Sequence, residues 1–596
     1  ARELAKHNAI IRKLASAETL GSVTVICSDK TGTLTKGEMT VRRIYVNDEI
    51  INVTGVGYEP KGEFLRGSGS ERINVKDYPE LSLLLSGAAL CTNAQYDGKS
   101  VFGDSTEGAL IVAAAKAGLW KEDLEKVYPR IGEIPFTSER KRMTTIHKSA
   151  ERKIMAFMKG APEVVLQRCT HILRGGAVKR LTEHERKTIL SINEQMASEA
   201  LRVLGVAYKE LGDFNPNNLG SEKVHEFIEN GLIFLGLLGM IDPPREEAKL
   251  ANEKCKRAGI KTIMITGDHK LTALAIAKEM GIYNEGDLIL TGVELETLSD
   301  EEFNKIVDKV TVYARVSPIH KLRIVKAWKA KGEVVAMTGD GVNDAPALKQ
   351  ADIGVAMGIT GTEVTKEVSD MVIADDNFAT IVNAIERGRW IYDNIKKYLF
   401  YLLESNIVEM IVLGTAVLIG IPLPLFPIHL LYINLATDGL PAIALGVGPP
   451  DPDIMQRPPR NPKESIFKDL KYFLLGYPTV MSIALLLLFL TSFFFHSEDL
   501  ARTRLFLAFI FIELTLALNL RSLKYGIIKV KPDRLLLFSV LITVIQTIML
   551  ILIPATRQAF KIVYPSLIDV GIVVILCIIT TALMETMKCF LSKIKK

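Results

Sequence analysis

The most informative sequence for the fold is the run Val23-Thr24-Val25-Ile26-Cys27-Ser28-Asp29-Lys30-Thr31-Gly32-Thr33. Its apolar, β-branched run predicts a buried strand, and the polar turn after it predicts the end of that strand. Three later apolar runs also lead into glycine-containing turns, at Lys261–Ile265, Glu333–Met337 and Ile353–Met357. Helical stretches lie between them, and this alternation indicates a doubly wound parallel α/β sheet. Because ligands bind beyond the carboxyl ends of such strands, we expect the turns to form one site.

Composition divides the chain into two parts. The 596 residues carry a net charge of +5, 48% are hydrophobic and the mean hydropathy is +0.21. These values exclude a disordered chain, a collagen and a small disulfide-linked secreted domain. Up to about Lys397 the sequence is that of a globular protein, whereas apolar runs of membrane length follow from Tyr398. The six cysteines form no C-x-x-C pair, which favours a reducing compartment.

The pattern predicts an α/β phosphorylation domain that is interrupted by a second domain and followed by an all-α membrane domain. An inserted α+β domain is indicated where the aspartate-bearing turns stop, and Asp242-Pro243-Pro244-Arg245 marks the return to the first domain. The predicted segments are 1–45, 46–234, 235–397 and 398–596. The first residues are polar and do not include an initiating Met, so we expect a piece of a longer protein.

Six apolar runs in the last segment are predicted to span a membrane. Their predicted bounds are Tyr398–Gly420, Leu425–Gly446, Tyr472–Phe495, Leu505–Leu520, Leu535–Ile553 and Leu567–Met587. Lys and Arg are concentrated in the loops after the second and fourth runs and in the tail. Because basic loops stay on the cytoplasmic side, we expect the globular domains and the C-terminus to be cytoplasmic. The membrane is expected to be the plasma membrane or an internal one.

The polar turns contain the groups needed for phosphoryl transfer. A carboxylate at the end of a buried strand, as expected for Asp29, can attack a phosphoryl group and form an aspartyl phosphate. Asp340 and Asp344 supply the hard oxygen ligands that Mg²⁺ prefers. Thr266 precedes a predicted helix together with Gly267, so hydroxyl and N–H groups there can hold phosphate oxygens. Lys321 can pair with the phosphate.

These motifs resemble those of the P-type ATPases over nearly the whole chain. The matching strings are Cys27–Thr35, Asp242–Arg245, Thr266–Asp268 and Thr338–Asp344. The resemblance implies that Asp29 is phosphorylated by ATP, that Asp268 belongs to the catalytic set and that Thr31 joins the Mg²⁺ ligands. Haloacid-dehalogenase-like phosphatases usually have a second Asp at the position of Thr31. Since threonine is a poor proton-transfer group near neutral pH, we expect the acyl phosphate to persist.

The inserted segment also resembles the nucleotide-binding domain of this family. Its matching strings surround Glu107, Phe136, Lys159 and Arg202. The resemblance implies that Phe136 stacks on adenine, in keeping with the physics of aromatic stacking. It further implies that Lys141 and Lys159 line the pocket, that Glu107 contacts the adenine side and that Arg202 meets the phosphates. By the same resemblance, Asp242 and Arg245 are assigned to the nucleotide.

Polar residues within the predicted spans indicate a cation site, because ionisable groups there usually face a polar interior. Three of the six runs contribute them: Asn406, Glu409, Asn434, Thr437, Asp438 and Glu513. Gly439 and Pro441 are expected to loosen the second helix. Ca²⁺ takes six to eight oxygen ligands in flexible geometry, which suits this set. Glu404 is expected to face elsewhere.

The set of ligands resembles that of the sarco/endoplasmic reticulum class of calcium pumps. We therefore expect ATP-driven Ca²⁺ transport out of the cytoplasm, with Mg²⁺ and ATP as cofactors. Transport of Mn²⁺, Na⁺ or H⁺ stays open, as does a membrane-tethered phosphatase or an inactive ATP-binding fragment. The expected partners are ATP, the cation and the bilayer, with no nucleic acid and no obligate protein. The family's actuator domain and first four spans are not found in the sequence.

Overall fold

The computed structural model of the protein describes residues 2–67, 71–149, 153–212, 214 and 220–594. They divide into two compact units. The first unit, called here the sheet-containing unit, comprises Val25–Lys256 and Lys261–Ile381. The second, called here the helical unit, comprises the segment before Val25, Arg257–Ile260 and the chain from Val382 onward.

A parallel sheet forms the core of the phosphorylation domain in the sheet-containing unit. Its neighbouring strands all pair in parallel, as the alternating pattern predicts. Their order across the sheet is Met371–Ile373, Ile353–Met357, Val335–Gly339, Val25–Asp29, Lys261–Ile265, Val310–Ala314 and Leu288–Thr291. The connecting helices are Glu246–Arg257, Lys270–Glu279, Gly292–Thr297, Asp300–Ile306, Pro318–Ala330, Ala345–Gln350 and Glu363–Val368.

The register of the central strands brings the polar turns to one edge. Ile265 pairs with Asp29, and Met337 pairs with Cys27 on the other side of the same strand. Ile265 and Gly339 are therefore level with Asp29 on the two neighbouring strands, and Thr266 and Asp340 are the residues that follow them. The predicted doubly wound fold is confirmed, and its carboxyl edge carries the expected turns.

The inserted domain is a largely antiparallel sheet covered by helices. Its strands are Thr40–Val46, Glu49–Val53, Phe64–Arg66, Glu71–Ile73, Arg130–Ile134, Arg142–Lys148, Ile154–Gly160, Cys169–Arg174, Ala177–Arg180, Arg202–Gly212 and Leu232–Ile241. Gln95–Tyr96 and Val101–Phe102 form a separate hairpin. The helices are Pro79–Leu90, Ser105–Lys116, Lys121–Val127, Pro162–Arg168, Glu183–Ser198 and Glu222–Ile228.

The edges of the inserted sheet differ from the predicted boundaries at 45/46 and 234/235. The entering strand Thr40–Val46 pairs antiparallel with the leaving strand Leu232–Ile241, and Thr40 lies opposite Ile241. Both strands are mostly buried along their length, so their sequence does not alternate. A continuous apolar run is equally typical of a parallel-sheet strand, so the pattern alone does not assign these two strands to one sheet or the other.

The helical unit consists of long apolar helices. They are Phe378–Ile419, Pro427–Tyr432, Gly439–Val447, Phe467–Phe495, Glu498–Asn519, Arg534–Leu552, Pro554–Ala559 and Leu567–Ile594. Near the N-terminus lie the helices Arg2–Ala5 and Leu14–Leu20 and the strand Ala9–Ile11. A π-helical segment, Ile433–Thr437, joins two of the helices within one predicted span.

Five helices in the described residues are long and apolar enough to cross a membrane, whereas the sequence predicts six spans. The predicted fourth span is a helix, Glu498–Asn519, but it carries Arg502, Arg504 and Glu513 in addition to its first acidic residues. Most of its side chains are buried against neighbouring helices. Its 22 residues measure about 33 Å, long enough to cross the hydrocarbon layer.

Candidate functional site

Asp29 is the last residue of the central parallel strand, where the sequence placed the nucleophile. Its backbone N–H donates to the Thr338 hydroxyl on the neighbouring strand at 2.8 Å. The turn that follows is non-helical at Thr31 and Gly32, and Gly32 has a φ of 77°. Glycine accepts that left-handed conformation without strain. The backbone thus fixes the Asp29 carboxylate at the open edge of the sheet.

Lys321 joins two carboxylates at this edge. Its ammonium nitrogen lies 2.7 Å from Asp29 Oδ2 and 2.9 Å from Asp344 Oδ1. Burial alone lowers the pKa of Lys321, but the two carboxylates outweigh it and the pKa is raised. Lys321 therefore stays protonated at neutral pH, as the predicted phosphate partner must be.

Three carboxylates converge beside Lys321. Ligand atoms of Asp29, Asp340 and Asp344 all lie within 4.8 Å of one another. Asp344 Oδ2 also accepts N–H groups from Asp340 and Gly341, which orients it. Burial, followed by repulsion from Asp29 and Asp344, raises the pKa of Asp340. One lysine cannot balance three carboxylates, so the donor set fits a hard divalent cation such as Mg²⁺.

A second group of residues holds the turn itself. Lys30 pairs with Asp268 at 2.7 Å and lies 3.7 Å from Asp242. The Asp242 carboxylate accepts from the Thr35 hydroxyl at 2.6 Å and from the Gly37 N–H at 2.9 Å. The Arg245 guanidinium donates to the Thr35 and Gly32 carbonyls.

Asp242 and Arg245 contact the turn after Asp29. Their side chains form hydrogen bonds with the phosphorylation turn, residues 30–37, and their assignment to the nucleotide stays a prediction. Their motif follows the strand that leaves the inserted domain, and Thr35 forms an isolated β-bridge with Pro244. The segment that follows the last strand of the inserted domain therefore stabilises the turn after Asp29.

Thr266 and Gly267 lie beside Asp29, as predicted. The Thr266 hydroxyl is buried and accepts the Asp268 N–H at 3.0 Å. Gly267 has open space where a side chain would stand. Thr31 is exposed and its N–H points to Asp29 Oδ1 at 3.4 Å. These groups leave room for phosphate oxygens at the carboxyl edge of the parallel sheet.

In the inserted domain, the buried Lys159 pairs with the partly buried Glu107. Lys159 donates to Glu107 Oε1 at 2.5 Å, and Glu107 Oε2 accepts the N–H groups of Asn93 and Ala94. Burial raises the pKa of Glu107, but Lys159 and the two N–H groups lower it by more, so the net pKa is lowered. Glu107 therefore stays ionised at neutral pH.

Three other predicted residues of this domain lie at the surface. Phe136 is 57% exposed, an unusual position for a large apolar side chain in a folded domain. Lys141 and Arg202 are also exposed. An ideal Cβ at Gly160 would come within 2.5 Å of the Lys141 carbonyl oxygen, so only glycine lets the Lys141 turn approach the strand that carries Lys159.

The predicted cation ligands differ in burial. Asn406 and Asn434 are exposed, and the Asn434 amide donates to Glu409 at 3.2 Å. Glu409, Thr437, Asp438 and Glu513 are buried, and Glu409 interacts with Asp438 and Glu513. A regular α-helix would put Asn434, Thr437 and Asp438 on one face, because they are three and four residues apart.

The π-helical segment explains why Asn434 is exposed while Thr437 and Asp438 are buried. Its closing bond runs from the Asp438 N–H to the Ile433 carbonyl, five residues back, so the turn is wider than in an α-helix. The predicted loosening of this helix is present, and it begins before Gly439. Two carbonyls there accept side-chain hydroxyls: Thr437 from Tyr401 at 2.9 Å and Ala436 from Thr543 at 3.1 Å.

Sequence reasoning missed some residues that shape the two sites. Lys30 and Thr338 are in the quoted motifs, yet only the fold shows that one pairs with Asp268 and the other fixes Asp29. Glu404 was expected to face away from the membrane residues. It is fully buried and lies near enough to Glu513 and Asp438 to interact with them. Its position could have been suspected from the rarity of a carboxylate in a membrane helix.

The fold and site define a haloacid-dehalogenase-like phosphoryl-transfer domain attached to membrane helices. Three family descriptions match the chain: "P-type ATPase, cytoplasmic domain N" over residues 74–247, "haloacid dehalogenase-like hydrolase" over 319–385 and "Cation transporting ATPase, C-terminus" over 422–590. The chain therefore belongs to the P-type ATPases.

Similar curated proteins are calcium-transporting ATPases by name. Calcium-transporting ATPase 1 of Bacillus cereus is 44% identical over 98% of this chain and 65% of its own length. The calcium-transporting ATPase of Bacillus subtilis is 46% identical over 84% of this chain and 56% of its own length. The human calcium-transporting ATPase type 2C member 1 is 38% identical over 95% and 60%. The chain spans less than two thirds of the length of each.

Proposed function

We propose that this chain belongs to an ATP-driven pump that moves Ca²⁺ out of the cytoplasm through an aspartyl phosphate at Asp29. The single observation that carries this is the carboxylate edge, where Asp29, Asp340 and Asp344 meet Lys321. A phosphatase would use the same edge, so the membrane residues and the absence of an acid at position 31 decide between the two.

The phosphoryl transfer follows from the positions of these groups. An oxygen of the Asp29 carboxylate attacks the γ-phosphorus of ATP, the new phosphorus–oxygen bond forms, and the bond to the bridging oxygen of ADP breaks. Lys321 offsets the negative charge that collects at the edge. Thr266 and Gly267 are placed to hold the phosphoryl oxygens through hydroxyl and N–H groups.

Asp29, Asp340 and Asp344, with Thr31 beside them, would hold the Mg²⁺ that phosphoryl transfer by this class needs. Bound there, Mg²⁺ supplies positive charge against the phosphate oxygens. The raised pKa of Asp340 and the closeness of the three carboxylates favour such a cation, because it relieves their mutual repulsion.

Thr31 makes the acyl phosphate long-lived. It is exposed beside Asp29, at the position from which an acid would activate water in a phosphatase. Its hydroxyl cannot accept a proton from water near neutral pH. A persistent intermediate gives the protein time to change conformation between phosphorylation and hydrolysis.

The choice of Ca²⁺ is supported by the oxygen-rich groups among the membrane helices and by the names of the relatives. The cargo is proposed to bind to Asn406, Glu409, Asn434, Thr437, Asp438 and Glu513. The loops rich in Lys and Arg support a cytoplasmic position of the globular domains and the C-terminus. ATP and the cation are the proposed substrates.

Phosphorylation by ATP in membranes that carry the complete gene product tests this proposal. We expect a hydroxylamine-labile phosphoprotein with Ca²⁺ that disappears with a chelator. Glu513→Gln is expected to raise the half-maximal Ca²⁺ concentration by roughly 10- to 100-fold, since the charge of the ligands sets affinity.

The matched control is Glu498→Gln, in the same helix but at its exposed first turn, where the carboxylate pairs with Arg502. It is expected to leave the Ca²⁺ dependence unchanged. Phosphorylation that ignores Ca²⁺ would reject Ca²⁺ as cargo and leave Mn²⁺, Na⁺ or H⁺. Rapid release of phosphate without a trapped intermediate would favour the phosphatase.

A second prediction concerns the nucleotide. Phe136→Ala is expected to weaken ATP binding about 10-fold, because stacking of a base on an aromatic ring contributes about 1–3 kcal/mol. Displacement of a fluorescent nucleotide analogue measures this affinity. Phe102→Ala is the control, since Phe102 is 61% exposed in the same domain. Equal affinities for the two variants would remove Phe136 from the pocket.

A further inference from the structure

Five neighbouring residues of the helical unit form an inner cluster: Glu404, Ser405, Thr437, Asp438 and Glu513. Four of them are completely buried and Asp438 is 2% exposed. Eight of their side-chain oxygens, counting both from each carboxylate, have no hydrogen-bond partner in the part of the chain that the structure describes. The cluster is therefore rich in acceptors and poor in donors.

Glu404 belongs to this cluster because it is buried beside Glu513 and Asp438. It lies five residues before Glu409 on Phe378–Ile419, about 7.5 Å along the axis and roughly 140° around it. Glu404 interacts with Glu513 and Asp438. The next residue, Ser405, lies near Asp438. Glu409 also interacts with Asp438 and Glu513, and it accepts the exposed amide of Asn434 as well.

In the part of the chain that the structure describes, no basic side chain pairs with the three carboxylates of the inner cluster, and the donors within the cluster are the hydroxyls of Ser405 and Thr437. The Tyr401 hydroxyl, on the same helix, is used by the Thr437 carbonyl. The buried basic groups of neighbouring helices have other partners: Arg504 pairs with Asp569, and Lys588 pairs with Glu585 and the Asn519 carbonyl. Unpaired buried polar groups cost stability, so side chains that only hold helices together are normally satisfied.

We propose that Glu404 is a further ligand of the transported divalent cation, completing an inner position with Ser405, Thr437, Asp438 and Glu513. Eight unpartnered oxygens match the six to eight that Ca²⁺ takes. Three carboxylates favour a divalent over a monovalent ion, because each adds attraction in proportion to the charge of the ion. This inference rests on the proposed cation transport and adds a residue that the predicted ligand set lacks.

A second explanation for Glu404 is structural. Two buried carboxyl groups can share a proton, and Glu404 and Glu513 are close enough to do so. Glutamine would replace a protonated Glu404 in such a pair with little change in cation binding. A ligand that carries charge cannot be replaced in this way, so the two roles differ in their response to the same variant.

The test measures ⁴⁵Ca²⁺ binding and Ca²⁺-dependent phosphorylation of the complete gene product in membranes. For Glu404→Gln we expect a Ca²⁺ affinity at least about 10-fold weaker, both in ⁴⁵Ca²⁺ binding and in the Ca²⁺ concentration that gives half-maximal phosphorylation. Glu386→Gln, on the same helix five turns earlier, is expected to keep the wild-type affinity. Wild-type affinity in Glu404→Gln overturns the proposal.

If Glu404→Gln does not accumulate in the membrane, Glu404→Asp decides, because it keeps the charge but shortens the reach. A Ca²⁺ affinity at least threefold weaker supports a ligand, and an unchanged affinity overturns it. Measurements on the wild-type protein distinguish a failure of this inference from a failure of the proposed function. Absence of Ca²⁺-dependent phosphorylation in the wild type rejects the cargo itself, whatever the Glu404 variants do.

Discussion

Asp29→Asn is expected to abolish the phosphoprotein and to reduce ATP hydrolysis by about 10⁴-fold or more, since removal of a covalent nucleophile is among the most damaging changes to an enzyme. The amide that replaces the carboxylate is a poor nucleophile, and its NH₂ group cannot accept the Lys321 hydrogen bond that Asp29 Oδ2 accepts at 2.7 Å. Labelling with γ-phosphate-labelled ATP measures the intermediate, and phosphate release measures turnover.

The control for this variant is another aspartate of the same sheet. Asp352 precedes the strand Ile353–Met357 at the amino edge, accepts the Val335 N–H at 2.9 Å and pairs with Lys329. Asp352→Asn is expected to keep the phosphoprotein. ATP binding should be equal in the two variants, which separates loss of chemistry from loss of folding. A persistent hydroxylamine-labile label in Asp29→Asn would show that another residue is the nucleophile.

The parallel sheet could be predicted because its strands and turns are local patterns. The central strand Val25–Asp29 and the strands at Lys261–Ile265 and Ile353–Met357 are apolar runs followed by turn residues. The strand Val310–Ala314 was not identified, although all its residues are buried. It is as long as the strands that were identified, but the glycine or aspartate turn that follows those strands is missing after it.

The phosphoryl site was predictable as a set of residue types, but not as a set of contacts. Strand register, which the sequence does not state, places Thr266 and Asp340 beside Asp29. Asp242 and Arg245 show the limit of motif reasoning, because the motif identifies them but only the fold shows that they brace residues 30–37. Contacts between residues more than 200 positions apart depend on the whole fold.

The membrane residues were predictable from the cost of burying ionisable groups, but their directions were not. A regular helix of 3.6 residues per turn would put Asn434 on the same face as Asp438, and the π-helical segment Ile433–Thr437 changes that relation. Helix periodicity does not state which residues of another helix Glu404 meets, because that depends on tertiary packing. Neither effect has a reliable signal in a single sequence.

Lys321→Met is expected to destabilise the phosphorylation domain by about 3 kcal/mol, because removal of one partner from a buried ion pair leaves charge without compensation. Asp29 and Asp344 both lose their partner, and Asp340 adds a third carboxylate within 4.8 Å. At an effective dielectric constant of about 20, each pair of such charges repels by about 3 kcal/mol. Methionine keeps the apolar length of the side chain, so the variant removes mainly charge.

The same argument predicts how Mg²⁺ changes the variant. Without Lys321, Mg²⁺ is the remaining cation that can balance the three carboxylates, so Mg²⁺ should protect Lys321→Met from unfolding more than it protects the wild type. Hydrogen exchange of the strands around Asp29, with and without Mg²⁺, measures this difference. Lys329→Met is the control: it lies on the same helix, and its ion pair with Asp352 is partly exposed, so we expect a loss below about 1 kcal/mol. Equal protection by Mg²⁺ in all three proteins would show that Lys321 does not balance the charge of the site.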